Sequence, residues 1–173
     1  MKRIAVIYKS IYGTTRRYAE WIAEELGASL FDAPSFNPAQ LLDYDVVIYG
    51  GGLYAGGIIG SKLVSKHPVK SLVLFTVGLA TPEITDYSEI LRKNFKPEQL
   101  EKMMAFHFHG GMDYGKLSIV HRAMMALMKK ATEKTPMDKR TSDDRELLET
   151  YGGTIDFTDK DAIKPLVEYV SLL

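Results

Sequence analysis

The stretch Ile4-Ala5-Val6-Ile7-Tyr8-Lys9-Ser10-Ile11-Tyr12-Gly13-Thr14-Thr15 governs how the rest of the chain is read. Residues 4–8 form an apolar run suited to a strand buried inside a sheet, and an amphipathic helical pattern follows Gly13. A turn from strand into helix leaves the first helical amides without acceptors and points the positive end of the helix dipole outward. An anion satisfies both, so the stretch predicts a phosphate-binding loop with Ser10, Tyr12, Gly13, Thr14 and Thr15 as candidate contacts. The hydroxyls add neutral donors, and Gly13 admits a positive φ or a close backbone approach. No Lys follows Gly13 as a P-loop requires, and the spaced glycine triplet of a dinucleotide turn is missing. The competing reading is a plain strand-to-helix turn with Thr14 or Thr15 as N-cap.

Further apolar runs lie at residues 46–49, 72–77 and 104–108, with a weaker strand at 29–32 after a helix whose Ala19, Ile22, Ala23 and Leu26 stop at Gly27. Strands alternating with helical patterns predict a doubly wound α/β fold with five parallel strands. Right-handed crossovers make 2-1-3-4-5 the simplest order, with a ligand crevice at the carboxyl ends of strands 1 and 3. Three glycine-rich loops fall at that edge. They are Gly50-Gly51-Gly52-Leu53-Tyr54-Ala55-Gly56-Gly57, Gly78-Leu79-Ala80-Thr81-Pro82 and Gly110-Gly111-Met112-Asp113-Tyr114. For any one of them the commoner role is simply to reverse the chain, and an Asp such as Asp113 is most often a turn former.

The long stretch after Gly110 reads as an insertion in strand 5. Within it Leu117, Val120, Met124, Leu127, Met128 and Ala131 mark a helical stripe, expected to face the core; a docking surface for a hydrophobic partner or the headgroup layer of a membrane is the alternative. A second helix is predicted over residues 143–151, a return to the interrupted strand at 154–157, and a closing helix capped by Thr158 or Asp159.

With 173 residues, 46% of them hydrophobic, the chain suits a single domain over residues 1–173. Zero cysteines exclude disulfides, thiolate nucleophiles and cysteine-linked cofactors, and fit a reducing, cytoplasmic location. No apolar stretch is long enough to span a bilayer, although peripheral membrane contact stays open. Lys plus Arg and Asp plus Glu balance at 22 each, which argues against nucleic acid as a partner. His107 and His109 share a strand face, but with no third ligand evident no metal is expected.

The hexapeptide Ser10-Ile11-Tyr12-Gly13-Thr14-Thr15 resembles the Ser/Thr-x-Thr-Gly-x-Thr loop with which flavodoxins bind the phosphate of FMN, Tyr12 standing where Thr is usual. Long-chain flavodoxins also interrupt strand 5. Three further segments resemble the menaquinone-dependent protoporphyrinogen oxidase group: Gly110-Gly111-Met112-Asp113-Tyr114, His121-Arg122-Ala123-Met124-Met125 and Ile155-Asp156-Phe157-Thr158-Asp159. The resemblance implies a flavodoxin-like fold and a non-covalent FMN held at its phosphate by the residues of the first loop. Its ring would lie between the second and third loops, against Gly51, Gly52, Leu53, Tyr54, Gly78, Leu79 and Ala80, with Tyr54 stacking and with Gly111, Asp113 and Tyr114 nearby. The implied function is electron transfer through that flavin to a redox partner protein. Alternatives are a menaquinone-linked protoporphyrinogen dehydrogenase, a flavin-dependent quinone reductase acting on a small substrate, or a flavin-free interaction module. A phosphorylation-receiver switch is excluded, because Lys9-Ser10, Gly50 and Gly110 stand where it needs acids and a lysine.

Overall fold

The computed structural model describes residues 1–173, the side chains of Ser142 and Asp143 excepted. Strands β1 (Ile4–Lys9), β2 (Ser29–Asp32), β3 (Val46–Tyr54), β5 (Leu72–Gly78) and β6 (Met104–His109) pair in parallel in the order β2-β1-β3-β5-β6. This is the flavodoxin-like order. A short strand β4 (Gly57–Ile58) folds back antiparallel on the end of β3. In register, Val6 lies beside Ile48 and Ile48 beside Val73, and such β-branched side chains pack well on a pleated surface buried on both sides.

Alternation along the strands supplies two cores. Val6, Ile48, Val73, Phe75 and Phe108 face helices α1 (Thr14–Leu26) and α7 (Lys164–Leu172), where Tyr18, Ile22, Leu166 and Val170 cover them. Ala5, Ile7, Val47, Tyr49 and Leu74 face the opposite layer, built around Leu41, Val64 and Phe95 near α2 (Lys62–Ser65), α3 (Ser88–Asn94) and α4 (Pro97–Leu100). Each fully buried side chain of this size contributes about 1.5–3 kcal/mol relative to exposure. Burial on both faces is what permits the five-stranded parallel run.

The glycines after Tyr49 are strand and not loop. Gly50 and Gly51 keep the parallel ladder with Tyr8 and Lys9 on one side and with Phe75 and Thr76 on the other. The reason is packing: a Cβ on Gly50 would sit 2.0 Å from the Phe75 ring, and one on Gly51 would sit 2.6 Å from Ile58 Cγ2. The chain therefore leaves the sheet only after Tyr54.

The insertion after β6 also differs from expectation. Residues 154–156 do not extend the parallel sheet; β8 (Thr154–Asp156) pairs antiparallel with β7 (Gly111–Asp113) as a separate ribbon. The returning chain runs opposite to the outgoing one, so its nearest partner is its own outbound leg. Between the two legs stand α5 (Ile119–Glu133), capped by Ser118 Oγ accepting from His121 N–H, and α6 (Ser142–Thr150), which opens on a Thr141–Asp144 capping box. The closing segment begins as a single 3₁₀ turn capped by Asp159 before α7 starts at Lys164.

The stripe on α5 splits between two faces. Of the expected stripe, Leu117 is buried with Tyr114 just before α5 and Met124 packs against them, whereas Val120, Leu127, Met128 and Ala131 are exposed; the side chains α5 itself buries are Met125 and Thr132, outside that stripe. A helix laid over a loop-built pocket has fewer neighbours than one laid on a sheet. The ribbon is tied back by Arg17, which donates to Asp156 and Thr158 at 2.7 Å each, and by the Tyr18 hydroxyl, which donates to His109 O at 2.7 Å and accepts from Asp159 N at 3.1 Å. The Thr158 hydroxyl and the Arg17 guanidinium hold the Asp156 carboxyl down at about 2.

Gly50→Ala forces the Phe75 ring out of its seat, and its expected cost is about 1–3 kcal/mol of unfolding free energy. Urea denaturation measures it; a change within error would mean that this contact is not tight.

Candidate functional site

The carboxyl ends of β1, β3, β5 and β6 surround a cleft of about 510 Å³, within the range of pockets that hold cofactors. One wall is the first loop. Gly13 takes φ +98° and caps α1 without any side-chain cap, so neither Thr14 nor Thr15 is the N-cap. Its N–H donates to Ser10 Oγ at 3.0 Å, which leaves the Ser10 hydroxyl proton free to be donated outward. The amides of the first helical turn lack acceptors within the helix. Thr15 is buried, and both Thr14 and Thr15 border the cleft.

No Lys or Arg lines this cavity among the described residues. Arg16 is paired with Glu20 at 2.7 Å, and Arg17 is turned to the ribbon. What remains at the loop is a set of neutral donors under the positive end of a 13-residue helix. That donor set suits a phosphate monoester, and the cleft beyond it has room for a flat ring system.

Of the residues expected at the site, Ser10, Tyr12, Thr14, Thr15, Gly52, Leu53, Tyr54, Gly78, Leu79, Ala80, Gly111 and Tyr114 border the cleft. Gly13 shapes the loop from behind. Gly51 is covered by the β4 hairpin, where Ile58 and the Ile59 carbonyl occupy the space beside it. Asp113 is a turn former: its carboxylate accepts from Gly115 N–H at 2.9 Å and caps the short turn after β7. The Tyr114 hydroxyl is buried without a hydrogen-bond partner among the described residues, and burial raises its pKa.

The opposite wall is α5. The Tyr12 hydroxyl bonds His121 Nδ1 and accepts from Ser118 N–H at 3.3 Å, which fastens the first loop to the start of the helix. The His121 ring also lies 4.7 Å from the Tyr54 ring, tilted at 52°. Met124, Met125, Met128, Leu147 and Ile155 continue the wall into an apolar recess between α5, α6 and the ribbon, with Asp144 and Glu146 on its border. The sequence carried only an indirect sign of this wall, the spacing of the methionines. His121 lies 109 residues from Tyr12, and nothing local announces that pair.

The two strand histidines are engaged separately. His109 Nε2 lies 3.0 Å from Leu79 O and its ring stacks on Phe157 at 4.3 Å. His107 stacks on Tyr87 at 3.6 Å, its Nδ1 lies 2.5 Å from Thr76 Oγ1, and burial pushes its pKa down to about 4. Among the described residues there is no group of three metal-ligating side chains.

Folding favours the neutral His107 ring, so its contribution to stability is complete above 6.5, the ordinary value, and is lost as the pH falls from there towards 4. In an NMR titration His107 is expected to titrate near 4, and urea midpoints are expected to fall across that window with a smaller slope in His107→Gln. A His107 titrating at its ordinary value would contradict this half-buried placement against Tyr87.

A family model described as a flavodoxin domain matches residues 5–139. A relative from Methanocaldococcus jannaschii, the uncharacterized protein MJ0298, is 28% identical over 116 residues, spanning 64% of this chain and 77% of its own length. Similar solved structures include a WrbA-like flavodoxin from Agrobacterium tumefaciens, with a TM-score of 0.46 at 19% identity over 69% of this chain and 87% of that one. A flavodoxin from the domain Archaea gives a TM-score of 0.46 at 12% identity, over 98% and 99% of the two chains. A flavoprotein in complex with FMN from Lactobacillus acidophilus NCFM gives a TM-score of 0.43 at 13% identity, over 63% and 93%.

Proposed function

The chain belongs to the flavodoxin domain family, and from that premise we propose that it is a redox protein that holds FMN without a covalent bond and passes electrons through it. One observation carries the reading: the hydroxyl-rich loop meets the open end of α1 where the cleft begins, and there, among the described residues, neutral donors stand without a Lys or Arg on the lining. Ser10, Thr14, Thr15 and the first-turn amides would hold the phosphate, and the helix dipole would offset the cost of its negative charge. Tyr54, Leu79 and Ala80 would border the ring, excluding water from it, and His121 would keep α5 seated through Tyr12. The bound flavin supplies the electron couple; the chain supplies binding, orientation and access.

A second reading, transfer from flavin to a small apolar acceptor such as a quinone or from a porphyrinogen, is favoured by the recess lined by Met124, Met125, Met128 and Leu147. A protein partner needs no such interior space. The two readings divide on turnover: a carrier reduces a partner protein and shows two resolved one-electron steps in a dithionite titration, whereas the enzyme oxidises protoporphyrinogen or reduces a menaquinone analogue catalytically.

Reconstitution with FMN is expected to give a bound-flavin spectrum with micromolar or tighter affinity. Gly13→Asp is expected to abolish retention by setting a carboxylate beside the phosphate, while Gly13→Ala, which bears only the strain of a positive φ, is expected to lose less. Folded wild-type protein that ignores FMN would overturn the reading.

A further inference from the structure

We propose that the outer face of α5 docks on the surface of an anionic lipid bilayer. Ile119, Val120 and Leu127 are exposed to 86%, 67% and 69%, and the side chains that pack inward, Met125 and Thr132, lie on the other side of the same helix. At 100° per residue Ile119, Ala123, Leu127 and Val120 fall within an arc of about 100°, so they form one continuous apolar strip. Large aliphatic side chains gathered this way, and not scattered singly, mark a surface that is covered in use.

Charge identifies what covers it. The chain as a whole is balanced at 22 charges of each sign, yet Lys130 and Lys134 lie along this strip, Lys116 and Arg122 stand at its start beside Asp113 and the Gly115 carbonyl, and the helix holds no acid before Glu133; Lys129 is turned away, over the Tyr151 ring. Lys130 lies within the arc itself, and Glu133 is engaged by Lys129 at 3.2 Å. On the neighbouring helix, Asp144 and Glu146 border the cleft on the inner side of α5. An apolar strip with a basic rim is the chemistry of a helix lying in the headgroup layer, where the aliphatic side chains enter the acyl boundary and the lysines meet lipid phosphates. A second copy of the chain would bring an identical basic rim against this one, which disfavours self-association. The surface lies outside the flavin cleft, and the proposal stands or falls apart from the flavin reading.

Sedimentation of the full chain with vesicles tests it. Binding is expected to vesicles of phosphatidylcholine containing about 30 mol% phosphatidylglycerol, roughly tenfold or more weaker to phosphatidylcholine alone, and diminished by high salt. Leu127→Glu and Lys130→Glu are each expected to lower binding to the anionic vesicles about tenfold with an unchanged thermal midpoint, because both positions are exposed. Wild-type protein indifferent to anionic lipid overturns the proposal without recourse to any variant. Binding that survives Leu127→Glu, or light scattering that finds a dimer dissociated by Leu127→Glu, overturns it as well.

Discussion

Parallel pairing of β1, β3, β5 and β6 sends all four carboxyl ends to one edge of the sheet, and the cleft lies along that edge. Such a sheet exists only if both faces are covered, because each return crossing must travel over one of them. The two apolar cores on either side of Val6, Ile48 and Ile7, Val47 are therefore the condition for the cleft. The packing extends further along β3 than its aliphatic residues do. Gly50 and Gly51 let Phe75 and the β4 hairpin close against the strand, which carries the ladder out to the level at which Gly52, Leu53 and Tyr54 border the pocket.

Electrostatics at the first loop is arranged by subtraction. Two arginines open α1, a position where cations work against the helix dipole. Arg16 is neutralised within the helix by Glu20, and Arg17 is used as a strap to Asp156 and Thr158, so neither stands over the loop. The strap has a second effect. It anchors the end of β8, and with the Tyr18 hydroxyl bridging His109 O and Asp159 N it fixes where the insertion leaves and rejoins the domain. The α5–α6 excursion is thus held at its base and again at the start of α5, where Tyr12 meets His121 and Ser118.

Helix α5 is the element with two employments. Its inner side completes the cleft with Met124, Met125 and His121, and its outer side is left apolar and basic. A helix that lies over a pocket instead of a sheet buries a narrow stripe, so its remaining aliphatic residues need another explanation than the core. A lipid surface supplies one, and it would bring the recess lined by the methionines close to the membrane.

The order and direction of the five main strands, the end of α1 at Gly27, and the hydroxyl-rich loop before α1 are legible from the residues alone, because they follow from local spacing: apolar runs of strand length, a helical stripe, and turn residues at their ends. That Gly50 and Gly51 are strand emerges from long-range packing, since a glycine's neighbours across a sheet have no local signature. The same holds for residues 154–156, which pair with β7 because of where the outbound leg happens to lie, and for Asp113, which caps its own turn. The far wall of the cleft was hidden for a related reason: Tyr12 and His121 meet across 109 residues, and whether a methionine on α5 faces inward or outward depends on what the rest of the chain places beneath it. Periodicity reports that a helix has a preferred face; only the packing of other elements says how wide that face is and what it touches.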